Sequence, residues 1–475
     1  MKYQIRLLPL ALALLVILPP STESSELTAI YELATEHDHQ WIAAKAALRA
    51  GRELPKLGLS RLLPNISASA TYTENSYDGP GTPEFNSDAL TDCDFNVANL
   101  NEFDPTCLFV TQERAIDYQS QSLSLRLRQP LFQMDRWYDY QKSKALKNQA
   151  EWKFDADQQE LILRVTETYF DVLRALEDLE FATREQQAVD FQLQQANRRY
   201  ELGLLANTAV FEAQAAADLS QTQILLAKSG LALALRNLEN LTGSSFKEIG
   251  RLKADIPISA PVPDTAKAWI TRALESNLEL YAAKQGVRAA QRETQKNQSG
   301  HLPTLNFVSA INRVDTEDGS GFIPPADTES YGVELFLPIF SGGGVSAATR
   351  QAYYKFREAE ELYHAQKRSV AIFTENQFYL VNAAVTRVTA QKLAIVSNKR
   401  AVQATKASFD SGTRTLMDVL NAQRTLLNAE RDLNLARIDY ILHNFRLKQA
   451  VGDLKLEDLS QVSNWLETVP LPKAE

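Results

Sequence analysis

The chain is one unit written twice, and this constrains the fold more than any other feature. Trp41-Ile42-Ala43-Ala44-Lys45 and the run to Ala50 line up with Leu280-Tyr281-Ala282-Ala283-Lys284 and the run to Ala289, 239 positions apart. The same register aligns Leu63-Pro64 with Leu302-Pro303. Pro130-Leu131-Phe132 then matches Pro338-Ile339-Phe340 at an offset of 208, so the first copy carries a loop about 31 residues longer between these landmarks. From Tyr200-Glu201-Leu202-Gly203 and Phe409-Asp410-Ser411-Gly412 the offset is 209, and it holds through to Gly243 and Gly452. Register kept over such distances marks a true internal repeat.

Each copy has the same order of elements. A helix of about 30 residues comes first, near Leu27–Glu53 and Thr265–Asn297. A strand pair follows, and then a very long helix, Asp135 to Glu201 and Val345 to Ser411, without a single Gly or Pro. At 1.5 Å per residue each would extend roughly 100 Å, far beyond a globular helix. Leu161, Val165, Thr168, Val172, Leu176 and Leu179 recur at the spacing of a coiled-coil-like seam. Gly203 and Gly412 are placed to end these helices as C-cap residues. Return helices are expected from about Thr208 to Leu241 and Thr415 to Val451.

The strands alternate. Ile66, Ala68, Ala70 and Tyr72 interleave with Ser67, Ser69, Thr71 and Thr73; Leu123, Leu125 and Leu127 interleave with Ser124, Arg126 and Arg128. In the second copy Val333, Leu335, Leu337 and Ile339 oppose Glu334. Such a period-2 pattern fits a half-buried sheet on a core. It also fits a sheet with a lipid-facing outside and a wet lumen, with Trp137, Tyr138 and Tyr140 as an interfacial girdle. The chain supplies four such strands, whereas membrane barrels begin at about eight and open edges are not tolerated in lipid. A membrane assignment therefore requires several chains, and a trimer would give about twelve strands around an open lumen.

The N-terminus reads as a secretory signal peptide: Lys2 and Arg6, then an apolar run from Leu7 to Leu18, then Ser21, Thr22, Ser24 and Ser25. The mature start is placed near Ser24. Cys93 and Cys107 share one polar stretch, and an oxidising compartment favours a disulfide between them. The net charge of −9 without a basic cluster argues against nucleic acid as partner. The domains read as a signal peptide at 1–24, a first repeat at 25–250, a linker at 251–264, a second repeat at 265–456 and a C-terminal tail at 457–475.

With these features in place, the chain resembles the TolC-like outer-membrane efflux proteins. The resemblance rests on the duplication, the Leu63-Pro64 and His301-Leu302-Pro303-Thr304-Leu305 strand starts, the Pro338-Ile339-Phe340-Ser341-Gly342-Gly343 turn, and above all Gly412-Thr413-Arg414-Thr415-Leu416-Met417-Asp418-Val419-Leu420-Asn421-Ala422. It implies a mainly α, internally duplicated chain whose homotrimer forms a twelve-stranded transmembrane β-barrel continuous with a long α-helical barrel. It also implies an equatorial collar built from Ser244–Asp264 and the tail after Gly452, and an outer-membrane location with the tunnel in the periplasm. The implied partners are outer-membrane lipid, a periplasmic adaptor and an inner-membrane ABC or RND transporter, with the chain acting as a passive exit duct of efflux or type I secretion. The hairpins at Gly203 and Gly412 would form the closed periplasmic tip.

In the family, acidic side chains after the second turn form carboxylate rings, which select ions by field. Asp418 matches the first ring, while Asn421 departs from the second. Glu212, at the equivalent position of copy one, is placed to restore that layer. Thr415-x-x-Asp418 reads equally as a helix capping box. The resemblance implies that Arg414 and the aromatic at Phe409 hold the tip shut. The family's aspartate partner is Ala209 here, and Phe409 lacks the usual hydroxyl, so Arg414 is expected to bond the Asn207–Thr208 region.

No catalytic group, cofactor motif or metal site is expected. His37-Asp38-His39 offers too few convergent ligands for zinc, and Ser341-Gly342-Gly343-Gly344 lacks the Lys and Ser/Thr of a phosphate loop. The acidic stretch from Glu74 to Asp117 reads as a solvated loop at the outer hairpin tip. A secreted or periplasmic coiled-coil scaffold without channel activity is the alternative, and the alternating apolar strands separate the two readings.

Overall fold

The computed structural model describes residues 26–80, 84–85, 109–110, 113–317 and 325–470. The signal peptide and the Cys93–Cys107 pair lie outside the described residues. The first copy runs α1 (Glu26–His37), α2 (His39–Ser60), β1 (Asn65–Pro80), β2 (Glu84–Phe85), β3 (Phe109–Val110), β4 (Glu113–Phe132), α3 (Met134–Glu201) and α4 (Asn207–Thr242). A strand β5 (Glu248–Leu252) follows. The second copy runs α5 (Ala266–Ser276), α6 (Leu278–Gln298), β6 (Thr304–Glu317), β7 (Ala326–Phe336), α7 (Gly344–Asp410) and α8 (Leu416–Ala450), and α9 (Leu456–Ser463) and β8 (Leu466–Pro470) end the chain. The long helices α3 and α7 are each continuous, as their lack of Gly and Pro predicts. Among the described residues no helix is long and apolar enough to cross a membrane.

The expected opening helix of each copy is instead two helices. The breaks fall at Asp38 and Asn277, which the repeat places at equivalent positions. Neither break contains Gly or Pro, so propensity gives no sign of it. The cause is side-chain capping: Asp38 Oδ1 accepts from the Gln40 N–H at 2.9 Å, and Asn277 Oδ1 accepts from the Leu280 N–H at 3.0 Å. Asp38 is further held by an ion pair to Arg164. Both breaks receive the end of a return helix. Gly243 lies against the His37 ring and Gly452 against the Ser276 carbonyl, each so closely that a methyl group would sit 2.4 Å from its neighbour. Both glycines adopt positive φ.

The chain divides into two compact units, residues 1–51, 148–285 and 360–475, and residues 52–147 and 286–359. In the first, the core centres on Leu161, Val165, Tyr169 and Phe170 of α3 against Ile438, Ile441 and Phe445 of α8. The seam residues Leu161, Val165, Val172, Leu176 and Leu179 are buried, while Thr168 is only half-buried. Tyr169 and Phe170 are fully buried beside it, because β5 and β8 pair antiparallel to cover α3 there. The Tyr169 hydroxyl donates to the Gly250 carbonyl at 2.8 Å, and Glu26 accepts from the Gly250 N–H at 2.7 Å. Residues 248–252 and 466–470, which the resemblance assigned to a collar, are thus brought together.

The second unit is an antiparallel sheet of order β1-β4-β6-β7. Its register places Ile66 beside Leu127, Ala68 beside Leu125, and Leu125 beside Ile311, with Phe307 beside Val333 and Leu305 beside Leu335. Alternation puts these side chains on one face. That face is uncovered: Tyr331 is 85% exposed, Val333 62% and Leu335 68%. The other face carries Ser69 hydrogen-bonded to Ser124 and Arg128 paired with Glu334 at 3.2 Å. A soluble half-buried sheet would show the reverse. Where the chain leaves the sheet, Asp139 at the start of α3 accepts from Arg61 at 2.5 Å and pairs with Lys296 at 3.0 Å.

Candidate functional site

Both helix-to-helix turns lie in the first unit and share one geometry. Gly203 has φ +71° and Gly412 φ +77°, the left-handed conformation that glycine adopts without Cβ strain. In the first turn the Leu204 N–H donates to the Arg199 carbonyl at 2.8 Å and the Gly203 N–H to the Tyr200 carbonyl at 2.9 Å. In the second, Thr413 donates to Ser408 at 2.9 Å and Gly412 to Phe409 at 3.0 Å. These bonds satisfy carbonyls that a helix end leaves open.

The two return helices start differently. Thr415 caps α8 with a complete box: its hydroxyl accepts from the Asp418 N–H at 3.2 Å, and Asp418 Oδ2 accepts from the Thr415 N–H at 2.9 Å. The equivalent residue before α4 is Ala206, which has no side chain to cap with. The hydrogen bond from the Thr415 N–H, then that from its hydroxyl, hold the Asp418 carboxyl below the usual carboxylate range. Arg414 lies 3.7 Å from the other oxygen of Asp418. Arg414, in the turn before α8, thus pairs within this chain with Asp418 in the first turn of that helix rather than with the Asn207–Thr208 region.

Phe409 is 8% exposed and joins Ala196 of α3, Ala213 of α4, and Leu416 and Val419 of α8 in one small apolar cluster. This cluster is where the two hairpins meet. Arg199, in the last turn of α3, stacks its guanidinium over the Phe409 ring at 4.5 Å and pairs with Asp410 at 3.0 Å. Phe409, a ring without a hydroxyl, is thus held through its face by a cation–π contact. Sequence reading passed over Arg199 because a basic residue in a last helical turn already has an explanation in the helix dipole. Asn421 and Glu212 are exposed on α8 and α4.

Above the turns α3 and α8 run antiparallel, joined by polar pairs. Arg424 meets Glu185 at 2.9 Å, Arg174 meets Asp439 at 2.6 Å, and Arg446 meets Glu167 at 2.7 Å. Asn434 donates to Glu177 at 2.8 Å. Burial pushes the Glu177 carboxyl up, and the Asn434 bond opposes it. The His37 Nδ1–H donates to the Leu33 carbonyl of its own helix at 3.1 Å, and Asp38 is held by Arg164.

Long paired helices ending in capped turns, joined within one chain to a sheet whose apolar face is uncovered, are the elements of a β–α membrane conduit. A family model, Outer membrane efflux protein, matches residues 30–244 and 269–453, and the chain belongs to that family. It is 31% identical to the outer membrane protein TolC of Vibrio cholerae over 97% of this chain and 99% of that protein. It is 28% identical to the alkaline protease secretion protein AprF of Pseudomonas aeruginosa, over 91% and 85%. Among solved structures, the outer membrane protein VceC of Vibrio cholerae superposes with a TM-score of 0.72 at 18% identity, covering 90% of this chain and 97% of that one. The protein is an outer-membrane export duct.

Proposed function

We propose that three copies of the chain close into one ring, a twelve-stranded barrel in the outer membrane continued by a helical tunnel, and that this ring is the passive exit of a secretion or efflux assembly. The observation that carries the reading is the open four-stranded sheet. Its β1 and β7 edges have backbone groups that hydrocarbon cannot satisfy. Because the strands alternate in direction and their number is even, β7 of one copy meets β1 of the next antiparallel, and the ring closes without a defect. The helices need the same neighbours. Leu225, Leu226 and Leu233 of α4 are exposed, as are Leu362, Ile372 and Leu393 of α7, and adjacent copies would cover these apolar faces.

Energy for transport must come from elsewhere, since a duct holds no fuel. A periplasmic adaptor and an inner-membrane transporter are the partners this role requires, and the relative named for alkaline protease secretion supports a protein cargo. At the tip, Asp418, Asn421 and Glu212 would line the entrance, with Arg414 and Phe409 in its closure. The pairing of Asp418 with Arg414 weakens its field at the entrance, which leaves Glu212 as the acid contributing most to cation selectivity. Planar-bilayer recording tests this. The purified protein should give small cation-selective currents, and Glu212→Gln should reduce the selectivity; anion-selective currents, or no channels at all, would refute it.

A further inference from the structure

We propose that Arg199 is the latch that sets how firmly the tip closes, a role resting on the reading of these turns as the closed end of the duct. The residue expected to bridge the hairpins, Arg414, is instead 3.7 Å from Asp418 within its own hairpin. Arg199 makes the bridge. Its guanidinium reaches from the end of α3 to the end of α7, covering the Phe409 ring at 4.5 Å and pairing with Asp410 at 3.0 Å. Phe409, with Leu416 and Val419 of the second hairpin, is buried against Ala196 and Ala213 of the first, and Arg199 is the charged side chain stacked on its ring. The α4 start beside it has no side-chain cap. Swinging the end of α7 away would strip Phe409 from the cluster and break both contacts to Arg199 together.

The two contacts respond differently to salt. The Arg199–Asp410 pair is half-exposed and is screened as ionic strength rises. The stacked guanidinium over a buried ring is screened less. Single-channel recording of the purified full-length mature protein, at low and at high potassium chloride, reads both. Arg199→Ala should raise the open-to-closed ratio about tenfold, the factor that about 1.4 kcal/mol represents, at both salt concentrations. Asp410→Asn should raise it at low salt only, and Arg199→Lys, which keeps the charge without the planar fork, should fall between wild type and Arg199→Ala. Arg199→Ala channels that open as rarely as wild type would overturn the latch and leave the duct standing. So would an Asp410→Asn effect independent of salt in protein where Arg199→Ala fails to assemble. Wild-type protein that forms no channels would sink the duct and the latch with it.

Discussion

Asp139 shows how a single carboxylate fixes a junction. It is 8% exposed, and burial alone would raise its pKa; the hydrogen bond from Lys296, with the charges of Lys296, Arg61 and Lys142, outweighs burial and holds it below the usual range. A carboxyl lowered on folding stabilises the folded state at every pH above its unfolded value, and that contribution is lost as pH falls through the folded value. Lys296 is the mirror case. Its pKa is raised by Asp139 and Glu293 against desolvation, so its contribution fades only as pH climbs through the alkaline range. Asp139→Asn should therefore cost about 2 kcal/mol at pH 7, and the cost should shrink in acid; guanidinium midpoints at pH 7 and pH 3 measure it. Thr415→Ala should cost about 1 kcal/mol through loss of the helix cap, seen as faster amide exchange in the first turn of α8. Ala206→Ser in the copy-one turn should act in the opposite sense by supplying the missing cap.

At the scale of elements, the repeat makes four glycines informative. Gly203 and Gly412 cap the long helices with open space around them, whereas Gly243 and Gly452 end the return helices in contact with the breaks at His37 and Ser276. Gly412→Ala should cost about 1 kcal/mol, the strain of a left-handed Cβ alone. Gly452→Ala adds a collision with the Ser276 carbonyl and should cost about 3 kcal/mol, overpacking added to strain. Thermal midpoints of the two variants would separate them, and equal shifts would contradict the close approach. The long helices, the return helices and the strand pairs were legible because Gly-free runs and period-2 alternation are local signals. The breaks at Asp38 and Asn277 were not, since a capping Asp or Asn in a helical pattern looks like any polar residue until its acceptor is placed. The Arg199 bridge was hidden for a different reason: it joins Arg199 to a ring 210 positions away in sequence, whose value lies in its face and not in a polar group. The capping box at Thr415 and Asp418 was visible in four residues, and it holds the Asp418 carboxylate beside the turn where Arg414 pairs with it.

For the whole molecule, the governing fact is that one chain folds into an incomplete object. Its sheet has two open edges and an uncovered apolar face bearing Ile66, Leu125, Ile311 and Val333. A water-soluble fold would bury such a face, and a lipid-embedded fold must close such edges. In the proposed ring, lipid would cover the face and neighbouring copies would close the edges. Leu125→Arg, on the outward face, should weaken membrane insertion by about 2–4 kcal/mol if the residue lies near the bilayer midplane, and fractionation of outer membranes would show the loss. The most direct test is native mass spectrometry of the mature protein extracted in mild detergent. It should report three copies per particle, and a particle holding a single copy that stays dissolved after the detergent is removed would contradict it.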